Sequence, residues 1–189
     1  MAALFKQYFN IAFLMGKPQD LPAGENQLYI ALACNFVTYV LALLSFTGFG
    51  SAVLHAAIDL GCTGLFLYVA LMLVKRLPRF EQAYGAICGA GAVLNLIAIP
   101  LLLLTSDPQG EAAIYLAFFA RFLLLVWSLS LVGHVLRHTF SLHMVLSVSI
   151  AVVYYILITN LLGQVFPDQS GADEAAMLFP AIEYIVSIG

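Results

Sequence analysis

Two oppositely charged side chains lie inside apolar stretches of this sequence. Asp59 lies within the run 50–74, and Arg121 lies within the run 112–136. If these runs cross a membrane, each charge costs several kcal/mol unless it is paired or faces water, which makes it a candidate for a functional site. A buried carboxylate can bind a proton or a polar solute, and a guanidinium can pair with it through two parallel hydrogen bonds.

The composition predicts that these runs lie in lipid. Hydrophobic residues make up 63% of the 189-residue chain, charged residues make up 9%, and the mean hydropathy is +1.01. A soluble domain carries about 25% charged residues. The net charge of −3 and the lack of a basic cluster in the sequence argue against nucleic-acid binding.

The apolar runs predict an all-α fold. A helix needs about 20 mostly apolar residues to cross a bilayer, and five runs satisfy this requirement: 26–47, 51–74, 80–104, 112–136 and 142–166. The pattern of polar and apolar residues over 2–16 predicts an amphipathic helix at the membrane surface. We therefore expect a polytopic bundle of five transmembrane helices with an N-terminal interfacial helix. This single membrane domain covers 1–166, and a non-cytoplasmic tail follows at 167–189.

The basic residues predict how the bundle is oriented. Cytoplasmic loops of membrane proteins carry an excess of Lys and Arg. A cytoplasmic N-terminus puts six basic residues on the cytoplasmic side: Lys6, Lys17, Lys75, Arg76, Arg79 and Arg137. The connection 105–111 and the tail then face the other side, and their sequences contain acidic residues but neither Lys nor Arg.

The polar residues of the five spans fall at similar depths. At 1.5 Å per residue, Asp59 lies ~12 Å and Arg121 ~13 Å from the non-cytoplasmic ends of their spans. We predict that they form an ion pair inside the bundle, supported by a layer of polar side chains: His55, Asn95, Asn160 and Asn35. Two interpretations stay open. The layer fixes the register of the helices, or it lines a polar cavity that carries protons or a small solute, with His55 in a proton relay.

A group of histidines lies at the cytoplasmic ends of spans four and five. His134 and His138 are four residues apart and share one helical face, with His143 and Glu81 nearby in the topology. They are candidates for a metal site, but such a site needs three or four ligands. Polar residues at the level of the lipid headgroups are the alternative interpretation, and we expect no cofactor.

Gly85 and Gly89 form a pattern of small residues on span three. Such a pattern lets another helix approach closely. The second helix can belong to the same chain or to another subunit, and the sequence does not choose between them.

The sequence carries no signature of an enzyme. It contains no nucleophile elbow, phosphate-binding loop or zinc-protease helix. The three cysteines, Cys34, Cys62 and Cys88, lie in apolar runs at spacings that fit neither a disulfide framework nor a metal site, so we expect them to pack within helices.

Two short segments carry a resemblance to known proteins. The segment 16–23 (GKPQDLPA) and the segment 129–138 (LSLVGHVLRH) resemble a group of small, uncharacterised proteobacterial inner-membrane proteins with a "PQDLPAS"-like turn and a "GHxLRH"-like helix end. The five-span plan is also similar to that of the Yip-domain family. Both resemblances imply a membrane-embedded, non-enzymatic role. The first implies a bacterial inner membrane, with the C-terminus in the periplasm.

Two functions are compatible with these observations. The leading prediction is an accessory, scaffold or assembly subunit of a larger membrane protein complex, with membrane protein partners or a second copy of the chain bound in the lipid bilayer. The alternative is a small proton-coupled or solute transporter that uses Asp59 and Arg121.

Overall fold

The computed structural model describes residues 2–22, 24–105 and 110–166. The regular structure of these residues is entirely helical. They form six α-helices and two 3₁₀ turns in this order: α1 (Ala2–Ala12), a 3₁₀ turn (Pro18–Asp20), α2 (Glu25–Leu43), α3 (Phe49–Leu73), a second 3₁₀ turn (Leu77–Arg79), α4 (Phe80–Leu104), α5 (Glu111–Phe140) and α6 (Met144–Val165).

Helices α2 to α6 are long and apolar enough to cross a membrane, as their composition and length predict. Their ends differ modestly from the predicted bounds. Helix α2 ends at Leu43 rather than 47, and α5 continues to Phe140 rather than 136. Helix α5 stops at Ser141, whose φ of 59° is left-handed and cannot continue the helix. The predicted tail at 167–189 lies outside the described residues.

The core of the bundle is a small-residue segment of α4. All eight residues from 83 to 90 are buried, and five of them are Gly or Ala. Gly85 faces α2, because a Cβ at that position would lie 3.9 Å from Leu28 Cδ1. A Cβ on Gly89 would overlap the ring of Tyr8 from α1. Both glycines of the predicted pattern therefore pack against helices of the same chain.

Helix α1 runs beside the bundle. Its residues Tyr8, Ile11 and Ala12 are buried, and Tyr8 packs on Gly89, ~14 Å along α4 from its first residue. The carbonyl oxygen of Ala12 accepts a hydrogen bond of 2.8 Å from Trp127 Nε1. Helix α1 therefore packs against α4 and α5, and its position at the membrane surface stays a prediction.

One end of the bundle gathers the connecting segments and their positive charges, and we call it the basic end. The Arg79 guanidinium donates a hydrogen bond of 3.1 Å to the Thr139 carbonyl oxygen. The Gln19 amide donates to the His138 carbonyl oxygen at 3.1 Å. These contacts bring segment 16–21, connection 75–79 and the end of α5 together, as expected if they lie on the same side of a membrane.

Candidate functional site

A cavity of about 490 Å³ lies among α2, α3, α4, α5 and α6. It extends from the ends of α2 and α6, at Thr47 and Phe166, to the middle of the bundle at Ile87 and Ala151. Most of its wall is apolar, and its polar side chains come from five helices: Asn35, Tyr39, His55, Asp59, Thr63, Asn95, Arg121, Ser128, Tyr154, Tyr155 and Thr159. A concave, mostly apolar space with a few converging polar groups is the usual form of a small-molecule site.

Asp59 lies at the wall of this cavity and is held by α2. The Tyr39 hydroxyl donates a hydrogen bond to its carboxylate. His55 precedes Asp59 by one helical turn and shares its face. The His55 ring stacks on Phe166 at 5.7 Å and meets the edge of the Tyr39 ring at 6.1 Å. The carboxylate is therefore flanked by a hydroxyl donor and aromatic rings.

Arg121 reaches the same cavity from α5. Its Nη2 donates a hydrogen bond of 2.9 Å to the Thr105 carbonyl oxygen, and its Cζ lies 5.2 Å from the centroid of the Phe46 ring. Its Nε is buried and has no hydrogen-bond partner among the described residues. The contacts found for Asp59 and Arg121 within this part of the chain are with these other groups, so the ion pair between the two stays a prediction.

The amides of the predicted polar layer take two different positions. Asn95 Nδ2 donates a hydrogen bond of 3.0 Å to Asn35 Oδ1, which joins α4 to α2 at the cavity wall. Asn160 instead is exposed on α6, and its amide donates back to the Ile156 carbonyl oxygen of its own helix. Asn35 and Asn95 therefore meet near the cavity, whereas Asn160 points away from it.

Sequence reasoning missed the hydroxyl contacts that join α3 to α4 and α6 beside the cavity. The Thr63 and Tyr154 hydroxyls lie 2.7 Å apart and link α3 to α6. The Tyr84 hydroxyl donates a hydrogen bond of 2.7 Å to the Leu60 carbonyl oxygen, and its ring fills the space above Gly64. The detectable signal was Tyr84 and Tyr154 inside apolar runs, because a buried Tyr hydroxyl needs a partner.

Two of the histidines at the basic end make contacts within the fold. His134 Nε2 donates a hydrogen bond of 2.8 Å to the Gly16 carbonyl oxygen, which ties α5 to the segment after α1. The His134 and His138 rings lie 4.6 Å apart, edge to face. Among the described residues no group of three or more His, Cys, Asp or Glu side chains could hold a metal ion.

Comparison of the chain with family models, curated proteins and solved structures gave no match. The class of the protein follows from its own fold, which is a helical bundle with five helices compatible with a multi-pass membrane protein. The resemblances to the proteobacterial inner-membrane group and to the Yip-domain plan stay predictions.

Proposed function

We propose that this chain is a membrane carrier that binds a small polar solute in the cavity, with Asp59 as the group that binds the solute or a coupled proton. The observation that carries the proposal is the convergence of Asp59, His55, Arg121 and the pair Asn35–Asn95 on one space of about 490 Å³. Polar side chains that only fixed helix register would pair with one another and leave no space between them.

The setting of the carrier is part of the proposal. The charge distribution supports a cytoplasmic basic end, since Lys75, Arg76, Arg79 and Arg137 flank the same ends of the spans. We infer that the cavity then extends toward the non-cytoplasmic side, which is the periplasm if the membrane is a bacterial inner membrane.

The proposal is tested by measuring solute-dependent proton flux in proteoliposomes that enclose a pH-sensitive dye. Pooled amino acids, amines and organic acids are added to liposomes that contain the full chain. The proposal expects a flux with at least one pool in the wild type and its loss in Asp59→Asn. The matched control is Asn160→Ala, because Asn160 is polar and lies on a span but outside the cavity. A folded wild type that moves neither solute nor protons contradicts the proposal.

An accessory or assembly subunit is the other function that the sequence suggested. The glycine pattern of span three, which the sequence left open to another subunit, packs against Leu28 and Tyr8 of the same chain. A stoichiometric partner that stays bound through purification in mild detergent would favour this function over the carrier.

A further inference from the structure

The surroundings of the two cavity charges indicate a class of ligand. We propose that the cavity binds a zwitterion, with the ligand ammonium group at Asp59 and the ligand carboxylate at Arg121. The inference rests on the proposed function and adds the substrate class to it.

The Asp59 side of the cavity suits an ammonium group. The carboxylate supplies the negative charge, while the Tyr39 hydroxyl already occupies part of its hydrogen-bonding capacity. The rings of Tyr39 and His55 contact each other beside it, and the His55 ring stacks further on Phe166. A carboxylate attracts a cation by its charge, and an adjacent Tyr ring adds the attraction of its quadrupole for a cation that lies over its face.

The Arg121 side of the cavity suits a carboxylate. A guanidinium has five N–H donors in a planar fork, and the described residues give this one a single hydrogen-bond acceptor, the Thr105 carbonyl oxygen. The Phe46 ring packs near the guanidinium Cζ and limits its orientation. Within the described residues, donors therefore remain for a carboxylate, the anion that Arg binds best through paired hydrogen bonds.

The position of the two sides favours a ligand whose charges are set apart. Tyr39, which bonds to Asp59, lies within α2, whereas Phe46, which packs near Arg121, follows the end of α2 at Leu43. These two marker residues are seven positions apart, about 10 Å at the helical rise. An ω-amino acid, whose charges are separated by several methylenes, suits such a site better than glycine does.

Electrostatics favours one ligand with two charges over two separate ions. A lone cation at Asp59 would leave Arg121 without a ligand charge, and a lone anion would do the reverse. Either ion would also add a net charge to a poorly solvated space, which is costly. A zwitterion pairs with both charges at once and brings no net charge into the cavity.

Thermal unfolding of the full chain in detergent tests this inference. The probes are glycine, 4-aminobutyrate and 6-aminohexanoate, with butylamine and butyrate as single-charge controls. We expect 4-aminobutyrate or 6-aminohexanoate to raise the unfolding temperature by roughly 5 °C at a large excess over its Kd. Glycine should raise it less, and neither single-charge control should raise it measurably.

Variants of Asp59 and Arg121 test whether each residue binds one end of the ligand. Asp59→Asn and Arg121→Gln should each abolish the shift, whereas Asn160→Ala should keep it. Asp59→Glu retains the charge and advances the carboxylate into the cavity by one methylene, so the preference should move to the shorter ω-amino acid. This charge-preserving variant keeps the test decisive if a neutral variant does not fold.

The zwitterion inference can fail while the carrier function stands, and the results tell the two cases apart. An equal shift with butylamine or butyrate alone overturns the zwitterion inference in favour of a site for one ion. No shift with any probe, together with a solute-dependent proton flux in proteoliposomes, overturns the inference and leaves the carrier function standing. A shift that Asp59→Glu leaves unchanged in both size and length preference also overturns it.

Discussion

The two halves of the bundle differ in how many residues of a helix are buried. In the half next to the basic end, segment 83–90 of α4 is buried at every position, and we call it the sealed half. In the other half, segment 112–130 of α5 is buried only at Ala117 and Ala120, and we call it the cavity half. Small residues let α2 approach α4 in the sealed half, where an apolar groove beside Tyr8 and Gly89 lies among α1, α2 and α4. In the cavity half, polar side chains from five helices line the cavity instead.

This contrast separates stability from chemistry within one set of helices. Close packing of small residues stabilises membrane helices when lipid removes the hydrophobic driving force between them. The sealed half thus fixes the helices, and the cavity half can present Asp59 and Arg121 without collapsing around them. Substitutions in each half test this division.

Gly89→Ala should destabilise the sealed half most. The new Cβ overlaps the Tyr8 ring, so the ring or α1 must move, which breaks the hydrogen bond from Gln27 Nε2 to the Tyr8 hydroxyl. We expect a cost of about 3 kcal/mol, measured by SDS-induced unfolding in mixed micelles. Gly61→Ala is the control, because no atom lies within 4 Å of a Cβ there. It should gain up to about 1 kcal/mol from helix propensity.

The double variant Tyr8→Ala, Gly89→Ala sharpens this prediction. If the clash with Tyr8 causes the loss, removing the ring should make the two costs strongly non-additive. Additive costs, or a Gly89→Ala variant as stable as Gly61→Ala, would show that α1 does not pack on Gly89.

A pair of Ala→Leu substitutions on α4 compares the two halves directly. Ala90 is fully buried in the core, whereas Ala98 lines the cavity. Ala90→Leu should cost about 1–3 kcal/mol, since overpacking forces neighbours to move. Ala98→Leu should change stability by less than about 0.5 kcal/mol, because the added side chain can extend into the cavity without displacing a neighbour. Equal costs in the same unfolding experiment would remove the distinction between the halves.

His134→Ala should have a smaller effect, confined to the basic end. It removes the hydrogen bond to the Gly16 carbonyl oxygen, and such a bond contributes about 1 kcal/mol. His143→Ala is the control, since His143 is exposed and makes no side-chain capping hydrogen bond. Thermal unfolding of the two variants should differ, and a loss as large in His143→Ala would argue against the His134 contact.

The sequence predicts the sealed half and the cavity half to different extents. Hydropathy finds all five long helices because each apolar run is long enough by itself. A depth count also predicts that Asp59 and Arg121 lie close together, and both line one cavity. Depth does not fix rotation about a helix axis, however, so Asn160 was placed in the polar layer although it lies on the outside of α6.

The sequence pattern could not predict contacts between segments that are distant along the chain. Residues 2–16 have the composition of a surface helix, and only the shape of α4 at Gly89 reveals where Tyr8 fits. The Tyr39 hydroxyl bond to Asp59 was missed for a similar reason, because its donor comes from another helix. Local periodicity carries no information about such pairings.

The most direct test of this account is the reactivity of a cysteine introduced at position 59 toward a charged, water-soluble thiol reagent. Cys34, Cys62 and Cys88 are first replaced by Ala, and Asp59→Cys is compared with Gly61→Cys at nearly the same depth on the exposed face of α3. Because a thiol reacts as the thiolate, which forms only where water can solvate it, we predict that the Asp59→Cys variant in reconstituted protein reacts at least about tenfold faster than the Gly61→Cys variant. Equal, negligible reaction of the two variants would contradict a cavity that water can reach at Asp59.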